Sequence, residues 1–172
     1  MRKLIALFAA LMAVFAVAAP AHAQFGFGKK DFIYEKSGYA IDGYDTVAYF
    51  DLDATALDDD GLPTVSAVKG DPEFSAEYNG ATWIFATAEN RDKFQADPAK
   101  YAPAYNGYCA YAAAQGNLAK TNPNAWRVID GTLYLNFNSN IQRRWVRDIP
   151  GHISQANANW DDLATKLKEP GA

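Results

Sequence analysis

The residues best able to do chemistry lie around the single cysteine, Cys109. Tyr101, Tyr105, Tyr108 and Tyr111 fall within eleven residues of sequence around it. In a helix, residues three and four apart share a face, so the spacing predicts phenol rings close to the thiol. Such an arrangement indicates either a packed core or a small-ligand pocket, since pockets are mostly apolar and aromatic. The predicted pocket is walled by Tyr105, Tyr108, Tyr111 and Trp83, with Cys109 at its base.

A metal site is the second interpretation of Cys109. Structural zinc needs four ligands, and a blue-copper site needs two histidines and a cysteine. Met1, Met12 and His22 all lie in the first 23 residues. If these residues are cleaved off as a signal peptide, His152 is the only histidine and no methionine remains. A Cu(I) site could then use Cys109 with His152, or pair two Cys109 thiolates across a homodimer. The oligomeric state and the metal stay open.

The third interpretation makes Cys109 a catalytic nucleophile. A helix beginning at Gly107 would place the thiol in its first turn, where the helix dipole favours the thiolate. His152 could serve as the base, oriented by Asn157 or Asp161. Nothing in the spacing requires these groups to meet, and a lone cysteine also behaves as a small buried hydrophobe. The residues therefore favour a non-catalytic binding protein over an enzyme.

The amino terminus predicts export. Met1-Arg2-Lys3 is a short basic start, Leu4–Val17 is an unbroken apolar run, and Ala21-His22-Ala23 has the small residues that a signal peptidase recognises. We interpret residues 1–23 as a cleavable signal peptide and 24–40 as an amino-terminal leader, which predicts a periplasmic protein. The apolar run is shorter than the roughly 20 residues of a membrane span.

Charge and cysteine content limit the function classes. Cleavage would remove Arg2 and Lys3, leaving 14 basic residues against 20 acidic ones, a formal charge of −6. An acidic chain is a poor partner for nucleic acid or for an anionic membrane. One cysteine excludes an intramolecular disulfide, so a packed aromatic core must stabilise a chain of single-domain length.

Hydrophobic patterning and turn signals predict a small α+β domain of short antiparallel hairpins packed with short helices. Hairpins are expected at Asn79-Gly80 and at Asp130-Gly131, the first followed by a helix over Ala88–Gln95 capped by Thr87. We expect a strand over Tyr44–Phe50, and a half-buried strand in which Leu133, Leu135 and Phe137 face inward. Asp51–Gly61 is expected to be a solvated loop. We see no internal repeat.

Two further helices are expected near the carboxyl terminus. A capping box of Ser139 and Gln142 would begin a helix through Asp148. Pro150-Gly151 would end it, and a last helix would cover His152–Lys168.

The order of motifs resembles the YHS domain family, with its treble-clef-like hairpin–helix core. The resemblance rests on Tyr78-Asn79-Gly80, Trp83-Ile84-Phe85, Phe94, Asp97-Pro98 and Tyr101, with Asp45-Thr46-Val47 similar to the family's opening Asp-Pro-Val. The segments Gly43–Phe50 and Gly107–Tyr111 resemble a secreted bacterial branch. The resemblance runs from about Ile41 to Trp160 and implies a YHS-like domain over 41–168.

The resemblance also implies where a metal site would lie. Metal-linked YHS modules carry cysteines at the positions of Ala48, Ala86 and Asn90, and all three are replaced here. Cys109 lies elsewhere in the framework and does not take over those roles. We therefore expect a binding module of unknown ligand.

Overall fold

The computed structural model describes residues 33–168. The predicted signal peptide and most of the predicted leader lie outside these residues. The described part contains three two-stranded antiparallel sheets and several short helices, which confirms the predicted α+β class. No helix within 33–168 combines the length and apolarity needed to cross a membrane.

The chain begins with a small hairpin, β1 (Glu35–Lys36) and β2 (Tyr39–Ala40). Two 3₁₀ turns follow, Ile41–Gly43 and Ala48–Phe50. The strand predicted over Tyr44–Phe50 is therefore wrong. Asp45 explains the difference, because its carboxylate accepts hydrogen bonds from the backbone N–H groups of Val47 and Ala48 and turns the chain into a helical conformation.

The first large hairpin joins β3 (Asp71–Tyr78) to β4 (Ala81–Phe85). Asn79 and Gly80 both have positive φ, as a two-residue type I′ turn requires. The Thr87 hydroxyl oxygen then accepts a hydrogen bond from the Asn90 backbone N–H and caps the start of α1 (Ala88–Ala96), as predicted. A single turn of helix, α2 (Pro98–Tyr101), follows the break at Asp97.

The chain next forms a 3₁₀ turn at Ala104–Gly107 and a five-residue helix, α3 (Ala110–Ala114). The second large hairpin joins β5 (Asn122–Ile129) to β6 (Thr132–Asn136) through Asp130-Gly131. β6 is buried on both faces rather than half-buried. Phe137, predicted to face inward, is 38% exposed.

Two helices complete the fold, and both begin differently from prediction. Asn138, not Ser139, caps α4 (Ser139–Trp145), while the buried Gln142 side chain donates to the Trp126 carbonyl. Pro150 does not break a helix but lies in the first turn of α5 (Ile149–Lys168), where its missing N–H has no helical partner to lose. Gly151 lies in the same turn, and its N–H donates to the carboxylate of Asp148, the residue just before α5.

The two large hairpins are copies of one structural unit, which the sequence did not reveal. Each has strands of eight and five residues, a register shift after the first strand residue, and a capped helix after the second strand. The three residues Ile41–Gly43 have φ of 53°, 55° and 70°, and Tyr105–Gly107 repeat this rare conformation at 56°, 53° and 81°. We call 41–50 with 71–96 the first unit, and 105–114 with 122–145 the second unit.

Equivalent contacts extend this correspondence between the units. Asp45 N–H donates to the Val68 carbonyl in the first unit, as Cys109 N–H donates to Ala119 in the second. Trp83 packs on Phe94 of α1 at 5.0 Å between ring centroids, while Tyr134 packs on Trp145 of α4 at 5.5 Å. A duplicated hairpin–helix unit therefore forms the framework of the described chain.

Each unit contributes to a separate hydrophobic cluster, and β6 lies between them. Leu133 and Leu135 belong to the first cluster, with Trp83, Phe94 and Trp126. Tyr134 belongs to the second, which α5 covers with Ala156 and Leu163. This sandwiching explains why both faces of β6 are buried.

Candidate functional site

Cys109 lies at the N-cap position of α3 and is 1% exposed. Its Sγ accepts a hydrogen bond from the Phe137 N–H at 3.3 Å and lies 3.8 Å from Asn136 Oδ1. Burial raises the pKa of the thiol, and the nearby backbone N–H groups of Ala112, Phe137 and Tyr111 only partly oppose this effect. The sulfur is therefore held as a neutral thiol.

The thiol forms part of the wall of a groove of about 270 Å³ that is partly open to solvent. Phe137 stands at this groove with its ring partly exposed, and Lys120 lies 5.7 Å from the ring centroid. Apart from the sulfur and the Tyr111 phenol, the lining side chains are hydrocarbon. They are Cys109, Tyr111, Ala112, Ala119, Phe137 and Ile141.

Only one of the predicted wall tyrosines reaches this groove. Tyr111 lines it, whereas Tyr105 is buried in the second cluster and donates from its hydroxyl to Asn157 Oδ1 at 3.0 Å. Tyr108 packs edge-on against Tyr34. Trp83 lies in the first cluster, with its indole N–H bonded to the Tyr78 carbonyl. The predicted wall of Tyr105, Tyr108 and Trp83 is therefore not assembled around Cys109.

The groove residues that sequence reasoning missed are Ala112, Ala119, Phe137 and Ile141. None of them is a residue type that signals chemistry, so composition offered no reason to select them. Only the structural correspondence between the two units points to them, because Ala112, Phe137 and Ile141 are equivalent to residues of the first unit.

His152 lies behind Tyr111, with 5.2 Å between the two ring centroids. Its Nδ1 lies 2.9 Å from the Trp145 carbonyl, which can only accept, so Nδ1 carries the proton and donates. This leaves Nε2 as the lone-pair nitrogen when the ring is neutral. Within residues 33–168 no group of three or more His, Cys, Asp or Glu side chains could hold a metal ion, and the Cys109–His152 copper site stays a prediction.

The nucleophile interpretation finds no support in this geometry. The expected thiolate is disfavoured, because the pKa of Cys109 is raised rather than lowered. Asn157 is one of the two residues expected to orient His152. Its Oδ1 instead accepts a hydrogen bond from the Tyr105 hydroxyl.

The first unit holds a different arrangement at the corresponding place. Asp45 is fully buried and accepts four hydrogen bonds. Oδ1 accepts from Val47 N–H at 2.9 Å and Ala48 N–H at 3.0 Å. Oδ2 accepts from Ala86 N–H at 2.8 Å and the Asn90 side-chain amide at 2.7 Å. We call this set the Asp45 cluster.

Comparison with known proteins finds a family model that matches about a quarter of the chain. The family model of the YHS domain, a family associated with metal binding, matches residues 65–105, which contain the hairpin and α1 of the first unit and also α2. No curated protein and no solved structure matches this chain.

The structure brings together the three positions at which the YHS resemblance implies cysteines. Ala48, Ala86 and Asn90 all donate to the Asp45 carboxylate. Every donor facing those oxygens is an N–H group, which suits an anion and repels a cation. The place of the implied metal site is thus filled by a hydrogen-bonded carboxylate.

In the second unit, Cys109 takes the place of Asp45. Phe137 N–H donates to its sulfur just as Ala86 N–H donates to Asp45. Ala112, Phe137 and Ile141 correspond to Ala48, Ala86 and Asn90, and these three line the groove. The groove therefore occupies, in the second unit, the position that the Asp45 cluster closes in the first.

Proposed function

We propose that this protein is an exported, non-catalytic binding module whose site is the groove beside Cys109, and that it takes a small apolar ligand. One observation carries the proposal: about 270 Å³ of apolar space lies where the first unit is closed by polar contacts. An engineered apolar cavity of about 150 Å³ is large enough for benzene, so this volume suits a ligand of somewhat larger size.

The chemistry of the lining argues for an apolar ligand. Ile141 replaces the amide that Asn90 supplies in the first unit, so the groove cannot be closed by the same hydrogen bond. The neutral, buried thiol supplies a soft, polarisable surface rather than a charge. The partly exposed Phe137 ring gives an apolar molecule a surface to cover.

A binding titration tests this proposal. Toluene is added to the ¹⁵N-labelled protein, and backbone amide shifts are followed for wild type and for Ala112→Leu, which fills part of the groove. Ala158→Leu, an exposed alanine on α5, is the matched control. We expect saturable shifts centred on Ala112 and Ile141 that are lost in Ala112→Leu and kept in Ala158→Leu. If toluene shifts the amides of Ala112→Leu as it shifts those of wild type, the proposed site is wrong.

Copper handling is the second candidate function. It is supported by the lone pair on His152 Nε2, since Nδ1 donates to the Trp145 carbonyl, and by the contact of the ring with Tyr111, which also lines the groove. Metal analysis of the purified protein tests it against Cys109→Ser. Copper that disappears in Cys109→Ser would favour this candidate, and copper-free wild-type protein would dismiss it.

Export is part of the same proposal and rests on residues 1–23. The single, buried cysteine suits an oxidising compartment, because no exposed thiol can form an unwanted disulfide. The intact mass of protein recovered from the periplasm should correspond to a chain beginning at Gln24. A mass that retains residues 1–23 would contradict cleavage.

A further inference from the structure

A second cleft lies between the first unit and α2, away from Cys109. It has a volume of about 230 Å³ and lies between the 3₁₀ turn that ends at Phe50 and the helices α1 and α2. Phe50 and Tyr101 meet edge to face at 5.2 Å and provide an aromatic wall. The lining consists of Val47, Phe50, Asp51, Lys93, Lys100 and Tyr101.

The charges at this cleft are unequally paired. Lys93 lies 2.9 Å from Glu89 and 3.9 Å from Asp51, so its ammonium group is already shared by two carboxylates. Lys100 lies 4.9 Å above the Tyr101 ring, and within residues 33–168 no carboxylate oxygen lies within 4 Å of its ammonium group. An exposed cation next to an aromatic wall is therefore available to an incoming anion.

The Asp45 cluster holds the walls of this cleft together. Asp45 binds the backbone at Val47 on one wall and the side chain of Asn90, on α1, behind the other. Asp97 then links α1 to α2, because its side chain accepts from the Lys100 N–H at the start of α2. A site held by such contacts loses little freedom when a ligand enters, which favours binding.

We propose that this cleft is a binding site for a small organic carboxylate with an aromatic or apolar body. The body packs against Phe50 and Tyr101, and the carboxylate pairs with Lys100. The volume accommodates a benzene-sized ring with a short acidic substituent. Asp51 on the opposite wall disfavours a second negative charge, so monocarboxylates are preferred over dianions. This site is independent of the Cys109 groove.

Phenylacetate, benzylamine and acetate are the probes that test the proposal. They separate the contribution of the ring from that of the charge, and each is titrated into the ¹⁵N-labelled protein. We expect phenylacetate to shift the amides of Val47, Phe50 and Tyr101 in a saturable way. Benzylamine should bind about two- to five-fold more weakly, the size expected from losing one exposed ion pair. Acetate should bind at least about five-fold more weakly, because it loses the ring contact.

Lys100→Met removes the charge but keeps an unbranched apolar side chain. Its matched control is Lys120→Met, because Lys120 also lies over an aromatic ring, at Phe137, but outside this cleft. Phenylacetate should bind Lys100→Met about two- to five-fold more weakly than wild type, and it should bind Lys120→Met as it binds wild type. Equal binding of benzylamine, unchanged affinity in Lys100→Met, or shifts confined to Ala112 and Ile141 would each overturn the proposal.

Discussion

Replacing Asp45 by asparagine tests the Asp45 cluster most directly. The carboxylate accepts four N–H donors, two on each oxygen. An amide has one oxygen, so whichever way the substituted side chain turns, its NH₂ group faces two donors. If the oxygen keeps Val47 and Ala48, the Asn90 amide can rotate to accept, but the Ala86 N–H is left without a partner.

The magnitude follows from this count. One buried donor left unpaired costs about 1–3 kcal/mol, and the remaining bonds lose the extra strength that a charged acceptor gives. We expect Asp45→Asn to lower the free energy of unfolding by about 2–4 kcal/mol. For a chain of this length each kcal/mol corresponds to roughly 2–4 °C in Tm. Urea unfolding followed by tryptophan fluorescence measures the change.

Asp53→Asn is the matched control. Asp53 also accepts from a backbone N–H two residues ahead, that of Thr55, but it is exposed. Its replacement should change stability by no more than about 0.5 kcal/mol. Asn90→Ala should cost about 1–2 kcal/mol in wild type and less in the Asp45→Asn background, because the two side chains interact. An Asp45→Asn variant as stable as Asp53→Asn would refute the cluster's structural role.

Three further predictions concern the second unit and the buried phenols. Cys109 should react with a thiol reagent at least about tenfold more slowly in native protein than in denaturant, and equal rates would show that the thiol is accessible. Cys109→Asp alone should destabilise the fold, whereas Cys109→Asp combined with Ile141→Asn should recover stability and abolish toluene binding. Urea unfolding measures the stability and amide shifts measure the binding. If the double variant binds toluene as wild type does, these two positions do not form the groove. Burial raises the pKa of Cys109 and of Tyr49 in the folded protein, so both side chains are neutral there. Their contribution to the free energy of unfolding is complete below the pKa values of the unfolded chain, about 8.5 for cysteine and 10 for tyrosine. Stability should therefore fall as pH rises above those values, and Cys109→Ala should remove the earlier part of the loss; a free energy of unfolding that stays level to about pH 11 would contradict this.

The two units carry different side chains at one equivalent place in the fold. In the first, Asp45 and Asn90 close the space with hydrogen bonds; in the second, Cys109 and Ile141 leave it open. Phe137, in place of Ala86, adds the aromatic side of the groove. Differences at three equivalent positions thus accompany a structural cluster in one unit and a candidate binding groove in the other.

Local signals predicted much of the fold. The turns at Asn79-Gly80 and Asp130-Gly131 and the Thr87 cap all formed as expected, because glycine at positive φ and a hydroxyl at an N-cap act within a few residues. The misplaced starts of α4 and α5 are likewise local: Asn138 competed with Ser139 for one cap, and Pro150 lies in the first turn of α5 instead of ending a helix.

The sequence by itself determined most of the hairpin–helix elements and the α+β class, because short-range chemistry governs turns, caps and hydrophobic alternation. Only the tertiary structure decided what surrounds the Cys109 thiol. It separated Trp83 and Tyr105 into different hydrophobic clusters and brought Phe137 and Ile141 to the sulfur. It also joined Asp45 to Asn90 across 45 positions. Contacts between residues so far apart depend on how separate segments of each unit pack together, and no local pattern records that packing.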